Sequence, residues 1–183
     1  MILKSLIKVL PFVFALIAIF FAIKKGKIKP NEIDLVKPQS YTKIFLWIGL
    51  FFAYSLTTEI LLLKYNVYSI KPWDYDITTS IIRVVGAVLL APIVEEIIFR
   101  GVFLNLLSQK WNRTLGVLLQ ALFFVLLHSF AYENTTESNI GIAVSFTDAI
   151  LFAIARYHTK SLYTNIGMHM SGNFIAMFER ILF

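Results

Sequence analysis

The chain has 183 residues, of which 58% are hydrophobic, 17 are Phe and none is Cys, and its formal net charge is +6. Its mean hydropathy of +0.74 exceeds what a soluble domain of this length needs and indicates an integral membrane protein. The absence of Cys excludes disulfides, thiolate nucleophiles and zinc–cysteine sites. No basic run is interleaved with aromatic residues, so the positive charge predicts membrane topology and no nucleic-acid partner.

Six apolar runs predict an all-α, polytopic bundle of about six transmembrane helices. The runs are Leu6–Ile23, Ile44–Leu63, Ile77–Leu107, Thr114–Ala131, Ile140–Ala155 and Leu162 to the C-terminus. We expect one membrane domain, in which residues 1–76 supply two N-terminal helices with their loops and residues 77–183 supply the catalytic core. The first run has no small-x-small cleavage site and ends in lysines, which is typical of a retained anchor.

The Lys and Arg residues are unevenly shared between the two sides of such a bundle. Six spans place the loops 24–43, 108–113 and 156–160 on one side, which carries ten Lys and Arg against five on the other. The positive-inside rule predicts that the first side is cytoplasmic and that both termini lie outside.

The third run contains the stretch APIVEEIIFRG, residues 91–101. An ionisable group at mid-membrane costs roughly 2.5–3.5 kcal/mol on insertion scales, so such a group is a candidate functional residue. Glu96 and Arg100 are four residues apart and are expected to pair on one helix face. Glu95 points about 100° away and lacks that partner. Pro92 cannot donate to the carbonyl of Val88, which predicts a bend before the glutamates.

Two more pairs with four-residue spacing follow, Phe124 with His128 and His169 with Asn173. The rise of a helix brings Glu95, His128, His169 and Asn173 to similar depths, so one buried polar cavity is geometrically possible. A carboxylate and an imidazole can remove a proton from water. A second imidazole and an amide N–H can donate to the oxyanion that forms when a peptide carbonyl is attacked. Such a set is sufficient to hydrolyse a peptide bond without a covalent intermediate.

These motifs resemble the signature of the CAAX-protease and bacteriocin-processing family of intramembrane endopeptidases, over about residues 77 to 180. The motifs are Glu95-Glu96-x-x-x-Arg100, Phe124-x-x-x-His128 and His169-x-x-x-Asn173. The resemblance implies a helical bundle whose buried catalytic cavity opens to the cytoplasm.

The resemblance also implies roles for single residues. Glu95 and His128 would activate water, and His169 and Asn173 would form the oxyanion hole. The supporting residues would be Glu96, held by Arg100, and Phe124, whose ring can wall the pocket against the imidazole.

No cofactor is required by this prediction, but a Glu with two His is also a catalytic zinc set, which would be Glu95, His128 and His169. The expected partners are the lipid bilayer and a membrane-associated or hydrophobic peptide or protein substrate; the sequence predicts no oligomeric state. A short Lys- and Ile-rich chain without a visible targeting signal resembles bacterial members. We therefore expect a bacterial plasma membrane, with bacteriocin immunity, peptide maturation or signalling as the task.

Two other functions are compatible with the same residues. The polar cluster could hold a scaffold or immunity protein together and dock a partner without turnover. A small transporter could use Glu95 and Asp148 as proton carriers, although no inverted repeat supports it.

Some polar and small residues lie outside the motifs. Asp148 is expected to pair with Arg83 or to cap a cavity, and Glu59 is expected to reach the membrane interface. Gly167 and Gly172 predict close packing of the last helix against a neighbour. The first two runs carry no motif and are expected to vary freely.

Overall fold

The computed structural model describes residues 1–67, 69–70, 72–130 and 134–182. Within these residues the chain is all-α, as predicted, and contains no strand. Its six helices are α1 (Ile2–Lys24), α2 (Tyr41–Lys64), α3 (Ile77–Lys110), α4 (Arg113–Ser129), α5 (Thr136–Thr159) and α6 (Leu162–Leu182). Each helix corresponds to one predicted run; the predicted end of the fourth run, Ala131, lies outside the described residues.

Polar caps set several helix starts and explain why α2 begins before the apolar run. The hydroxyl of Ser40 accepts a hydrogen bond from the N–H of Lys43 at 3.3 Å, so α2 begins at Tyr41 and not at Ile44. Such a side chain satisfies an N–H group that has no partner in the first helical turn. Capping side chains also precede α3, α4 and α5: Asp76, Asn112 and Thr135.

The distribution of exposed and buried residues is that of an integral membrane protein. Helices α1, α2, α3 and α5 are long and apolar enough to cross a membrane, whereas α4, with 17 residues, is shorter. Large apolar side chains such as Phe14 and Phe45 are exposed on the outside, while Glu96 and Arg100 are completely buried. Apolar groups face outwards and charged groups face the bundle interior, as a lipid environment requires.

Helix α3 is continuous but contains two π-helical segments, Val85–Leu90 and Glu96–Phe103. Pro92 lies two residues after the end of the first segment, at the point where the sequence predicted a bend. A proline cannot donate the hydrogen bond of a regular helical turn, and the wider π-helical turn accommodates this change. Glu95 therefore lies between the two π-helical segments, and Glu96 is the first residue of the second. Both lie in a part of the helix with irregular hydrogen bonding.

Helix α6 packs closely against α2, as the glycines predicted. A Cβ atom at Gly167 would lie 2.4 Å from Cδ1 of Ile48, and one at Gly172 would lie 3.2 Å from Cε1 of Phe51. Side chains of α2 thus fit directly against α6, although α2 carries no motif.

The connection between α1 and α2 folds across one end of the bundle, which we call the closed end. Ile33 is buried against Leu162 and Val94, and the N–H of Leu162 donates to the carbonyl of Asp34 at 3.0 Å. The carboxylate of Asp34 accepts from Nε of Arg156 at 3.1 Å. This end is thus covered by backbone and side-chain hydrogen bonds.

Arg156 was expected in a basic loop, and this expectation is wrong. It lies in the last turn of α5 and is 2% exposed. Its Nη1 donates to the carbonyl of Arg100, inside the second π-helical segment, and its Nη2 donates to Oδ1 of Asn105 at 3.4 Å. These acceptors, together with Asp34, satisfy the guanidinium and allow it to be buried.

Candidate active site

The ion pair predicted from the four-residue spacing is present on α3. Nη1 of Arg100 donates to Oε1 of Glu96 at 2.8 Å, and neither side chain is exposed. The same carboxylate oxygen lies 2.8 Å from Nδ1 of His169 on α6, a contact that the sequence did not predict. A carboxylate held by a guanidinium accepts hydrogen bonds, so the His169 ring carries a proton on Nδ1 and Nε2 points elsewhere.

Two aromatic rings cover the remaining surface of the Arg100 guanidinium. The guanidinium carbon lies 4.5 Å from the ring centre of Phe124 and 5.0 Å from that of Phe152. Nε and Nη2 of Arg100 have no hydrogen-bond partner among the described residues, so cation–π contacts replace hydrogen bonds there. Phe152 also stacks on His169, with ring centres 5.4 Å apart. Phe152 belongs to no motif, and the sequence analysis missed it.

Glu95 lies apart from this ion pair, as the helical period predicted. Its Oε2 is 3.8 Å from Nε2 of His169 and has no hydrogen-bond partner among the described residues. His169 therefore lies between two adjacent glutamates, with Nδ1 on Glu96 and Nε2 facing Glu95.

His128 is oriented by its own helix. Its Nδ1 lies 2.8 Å from the carbonyl oxygen of Phe124. Because a carbonyl can only accept, Nδ1 carries the proton and Nε2 of the neutral ring has a free lone pair. The ring centre of Phe124 is 4.3 Å from that of His128, so the phenyl ring lies against the imidazole.

Asn173 is held by the first π-helical segment of α3. Its Nδ2 donates to the carbonyl of Ala87 at 2.7 Å. A carboxamide nitrogen carries two N–H groups, and this contact uses one of them. The irregular hydrogen bonding of the π-helix thus provides an acceptor that fixes the Asn173 side chain.

A cavity of about 580 Å³ joins these groups. Glu95, His128, His169 and Asn173 all line it, and Phe124 forms part of its wall. The structure therefore brings together the four residues that the sequence analysis selected from three separate helices. It places Glu96 and Arg100 behind His169.

Two further carboxylates, those of Glu59 and Asp148, line the cavity. Glu59 was expected at the membrane interface but lines the cavity, with Oε2 buried. Asp148 lies in the cavity wall, in agreement with the second of its two expected positions. The first, pairing with Arg83, is wrong, because Nε of Arg83 donates to the hydroxyl of Ser5 at 2.9 Å. Both carboxylates interrupt apolar helices. Because burying a charge in a membrane is costly, the position of Glu59 in such a helix could have identified it as a residue of the cavity.

The possible zinc set is not assembled in this arrangement. Among the described residues no three His, Asp or Glu side chains are grouped so that they could hold one metal ion. Nδ1 of His169 and Nδ1 of His128 both face protein oxygens, which leaves one nitrogen of each ring for other contacts.

Comparison with known proteins identifies the family. A model of the type II CAAX prenyl endopeptidase Rce1-like family matches residues 77–175, which contain all three motifs. The chain is also 29% identical over 106 residues to an uncharacterized 24.3 kDa protein of Escherichia coli. That match covers 57% of this chain and 46% of the relative, so the chain spans less than half of the relative's length. No solved structure matches. This integral membrane protein belongs to the type II CAAX prenyl endopeptidase Rce1-like family.

Proposed function

We propose that this chain is an intramembrane endopeptidase that hydrolyses a peptide bond in a membrane-associated or hydrophobic peptide. The observation that carries the proposal is that one carboxylate, two imidazoles and one carboxamide line a single cavity inside a membrane protein of this family. These are the groups that activated-water hydrolysis needs.

Glu95 and His128 activate the water. The carboxylate of Glu95 has an oxygen with no partner among the described residues. Nε2 of His128 carries a lone pair because Nδ1 donates to the carbonyl of Phe124. Either group accepts the proton as the water oxygen attacks the peptide carbonyl, and the proton then passes to the leaving amine.

His169 and Asn173 stabilise the oxyanion. With Nδ1 of His169 donating to Glu96, only the doubly protonated ring can also donate from Nε2. Oε1 of Glu96 lies 2.8 Å from Nδ1 of His169 and Oε2 of Glu95 lies 3.8 Å from its Nε2, so a carboxylate oxygen faces each ring nitrogen. The N–H of Asn173 that Ala87 does not use is the second donor.

The substrate class and task are part of the proposal. A prenylated C-terminal peptide is one class, because the family is described by that activity. An unprenylated hydrophobic peptide is the other, and it would suit bacteriocin immunity or peptide maturation in a bacterial plasma membrane.

The test compares purified protein and a Glu95→Gln variant on two fluorogenic membrane peptides, one with and one without a C-terminal prenyl cysteine. Removal of the base is expected to lower turnover by about 10²–10⁴-fold while peptide binding is retained. The matched control is Glu32→Gln, which changes an exposed glutamate at the closed end and should leave turnover unchanged.

Two further results decide between the alternatives. If the wild-type protein binds a peptide but cuts neither, and Glu95→Gln binds equally well, the scaffold interpretation replaces the protease. A loss of turnover on adding a chelator, restored by zinc, would contradict the metal-free mechanism and assign the cavity histidines to a metal.

A further inference from the structure

The cavity extends from the candidate active site to one end of the bundle, which we call the open end. Its wall beyond the motifs is formed by the C-terminal half of α2, the N-terminal half of α5 and the C-terminal half of α6. Ser69 and Ile70, which follow α2, and Glu137, in the first turn of α5, also line it. The mouth therefore lies at the end of the bundle where α2 ends and α5 begins.

The opposite, closed end offers no comparable path among the described residues. Ile33 is 4% exposed and would lie 3.4 Å from a Cβ atom on Gly101 of α3. The Asp34 backbone and carboxylate bind α6 and α5, through Leu162 and Arg156. A peptide could reach the active site from this side only by displacing these contacts.

The two ends also differ in charge. Among the described residues, the closed end carries ten Lys and Arg against two acidic residues, whereas the open end carries five against five. The closed-end basic residues are Lys24, Lys25, Lys27, Lys29, Lys37, Lys43, Lys110, Arg113, Arg156 and Lys160. The open-end basic residues are Lys4, Lys8, Lys64, Arg83 and Arg180, and its acidic residues are Glu59, Asp74, Asp76, Glu137 and Glu179. The positive-inside rule places the closed end in the cytoplasm.

We infer that the cavity is entered from the non-cytoplasmic face of the membrane. The sequence predicted both a cytoplasmic lysine-rich side and a cavity open to the cytoplasm, and this fold cannot satisfy both, because the cavity opens at the end away from the lysines. On the proposed function, the substrate is then a peptide segment exposed at the non-cytoplasmic face, not one presented only at the cytoplasmic surface.

The experiment uses single cysteines, because the natural chain has none. Three variants report on the two ends and on the cavity: Thr136→Cys at the start of α5, Gln39→Cys in the α1–α2 connection, and Ser145→Cys in the cavity wall. Each is expressed in bacteria and treated with a small, charged, membrane-impermeant thiol reagent, in right-side-out spheroplasts and in inside-out vesicles.

We expect Thr136→Cys and Ser145→Cys to react in spheroplasts and Gln39→Cys to react only in inside-out vesicles. Reaction of Gln39→Cys in spheroplasts, or failure of Thr136→Cys to react there, overturns the orientation. Failure of Ser145→Cys to react in spheroplasts overturns entry from that face. Labelling requires no turnover, so these outcomes are independent of whether the protein is a protease.

Discussion

The two ends of the bundle differ in whether their buried charged groups have hydrogen-bond partners. At the closed end the buried guanidinium of Arg156 has three acceptors, from Asp34, Arg100 and Asn105. In the cavity that leads to the open end, Oε2 of Glu59 and Oδ1 of Asp148 are buried without a hydrogen-bond partner among the described residues. A buried polar group without a hydrogen-bond partner lowers the stability of the folded state. The paired guanidinium at the closed end therefore stabilises the fold, whereas the carboxylates of the cavity lower its stability.

Breaking the closed end should have the largest effect on stability. Asp34→Ala leaves the buried Arg156 without its charged partner, and we expect the free energy of unfolding to fall by about 3 kcal/mol. The measurement is unfolding of the detergent-solubilised protein, followed by Trp fluorescence. The control is Lys29→Ala, which breaks an exposed ion pair in the same connection and should change the free energy by less than about 1 kcal/mol. Equal effects of the two substitutions would show that the closed end has no special role.

Glycine substitutions test whether the ends also differ in packing. A Cβ at Gly116, near the closed end, would lie 3.1 Å from the backbone nitrogen and 2.5 Å from the hydroxyl oxygen of Ser108, and the backbone cannot move aside cheaply. We expect Gly116→Ala to lower the free energy of unfolding by about 2 kcal/mol. At the open end Gly141 has nothing within 4 Å of an added Cβ, so Gly141→Ala should be neutral or slightly stabilising. A destabilising Gly141→Ala would mean that the open end is as tightly packed as the closed end.

Removing charge at the open end should have the opposite sign. Glu59→Gln and Asp148→Asn keep the shape of each side chain but remove a buried carboxylate, one oxygen of which has no hydrogen-bond partner among the described residues. We expect the free energy of unfolding to rise by about 1 kcal/mol for each, in the same detergent assay. A loss of stability instead would indicate that these carboxylates hold the helices together, and the contrast between the two ends would fail.

The difference between the ends also explains what the sequence could predict. Helical periodicity placed Glu96 with Arg100 and brought Glu95, His128 and His169 to one depth, because spacing along a helix is a local property. The contact of His169 with Glu96 joins residues 73 positions apart, and the burial of Arg156 depends on Asp34, 122 positions away. No periodicity encodes such tertiary contacts.

The position of the cavity mouth could not be predicted for a related reason. It depends on whether the connections at one end or those at the other fold over the bundle. Hydropathy cannot distinguish the two sets, because both are polar. The lysine-rich connections do lie at one end of the bundle, but no sequence pattern shows that the 25–40 connection covers that end. The role of α2 in the bundle was missed because this helix carries no motif. Its Ile48 and Phe51 fit against two glycines of α6.

The smallest expected effect concerns the cap of α3 at the open end. The hydroxyl and N–H of Thr79 donate to Asp76 and hold the pKa of its carboxyl below its usual value of 3.8. A carboxyl whose pKa is lower in the folded state stabilises the fold above pH 3.8, and this contribution is lost as the pH falls through the lowered pKa. Asp76→Asn keeps a capping oxygen but not the charge, so its Tm should lie slightly below that of the wild type at pH 7, and the gap should close in acid. Asp74→Asn, an exposed neighbour that caps no helix, controls for the loss of charge. A gap that persists unchanged at the lowest pH would show that the Asp76 charge does not contribute through this cap.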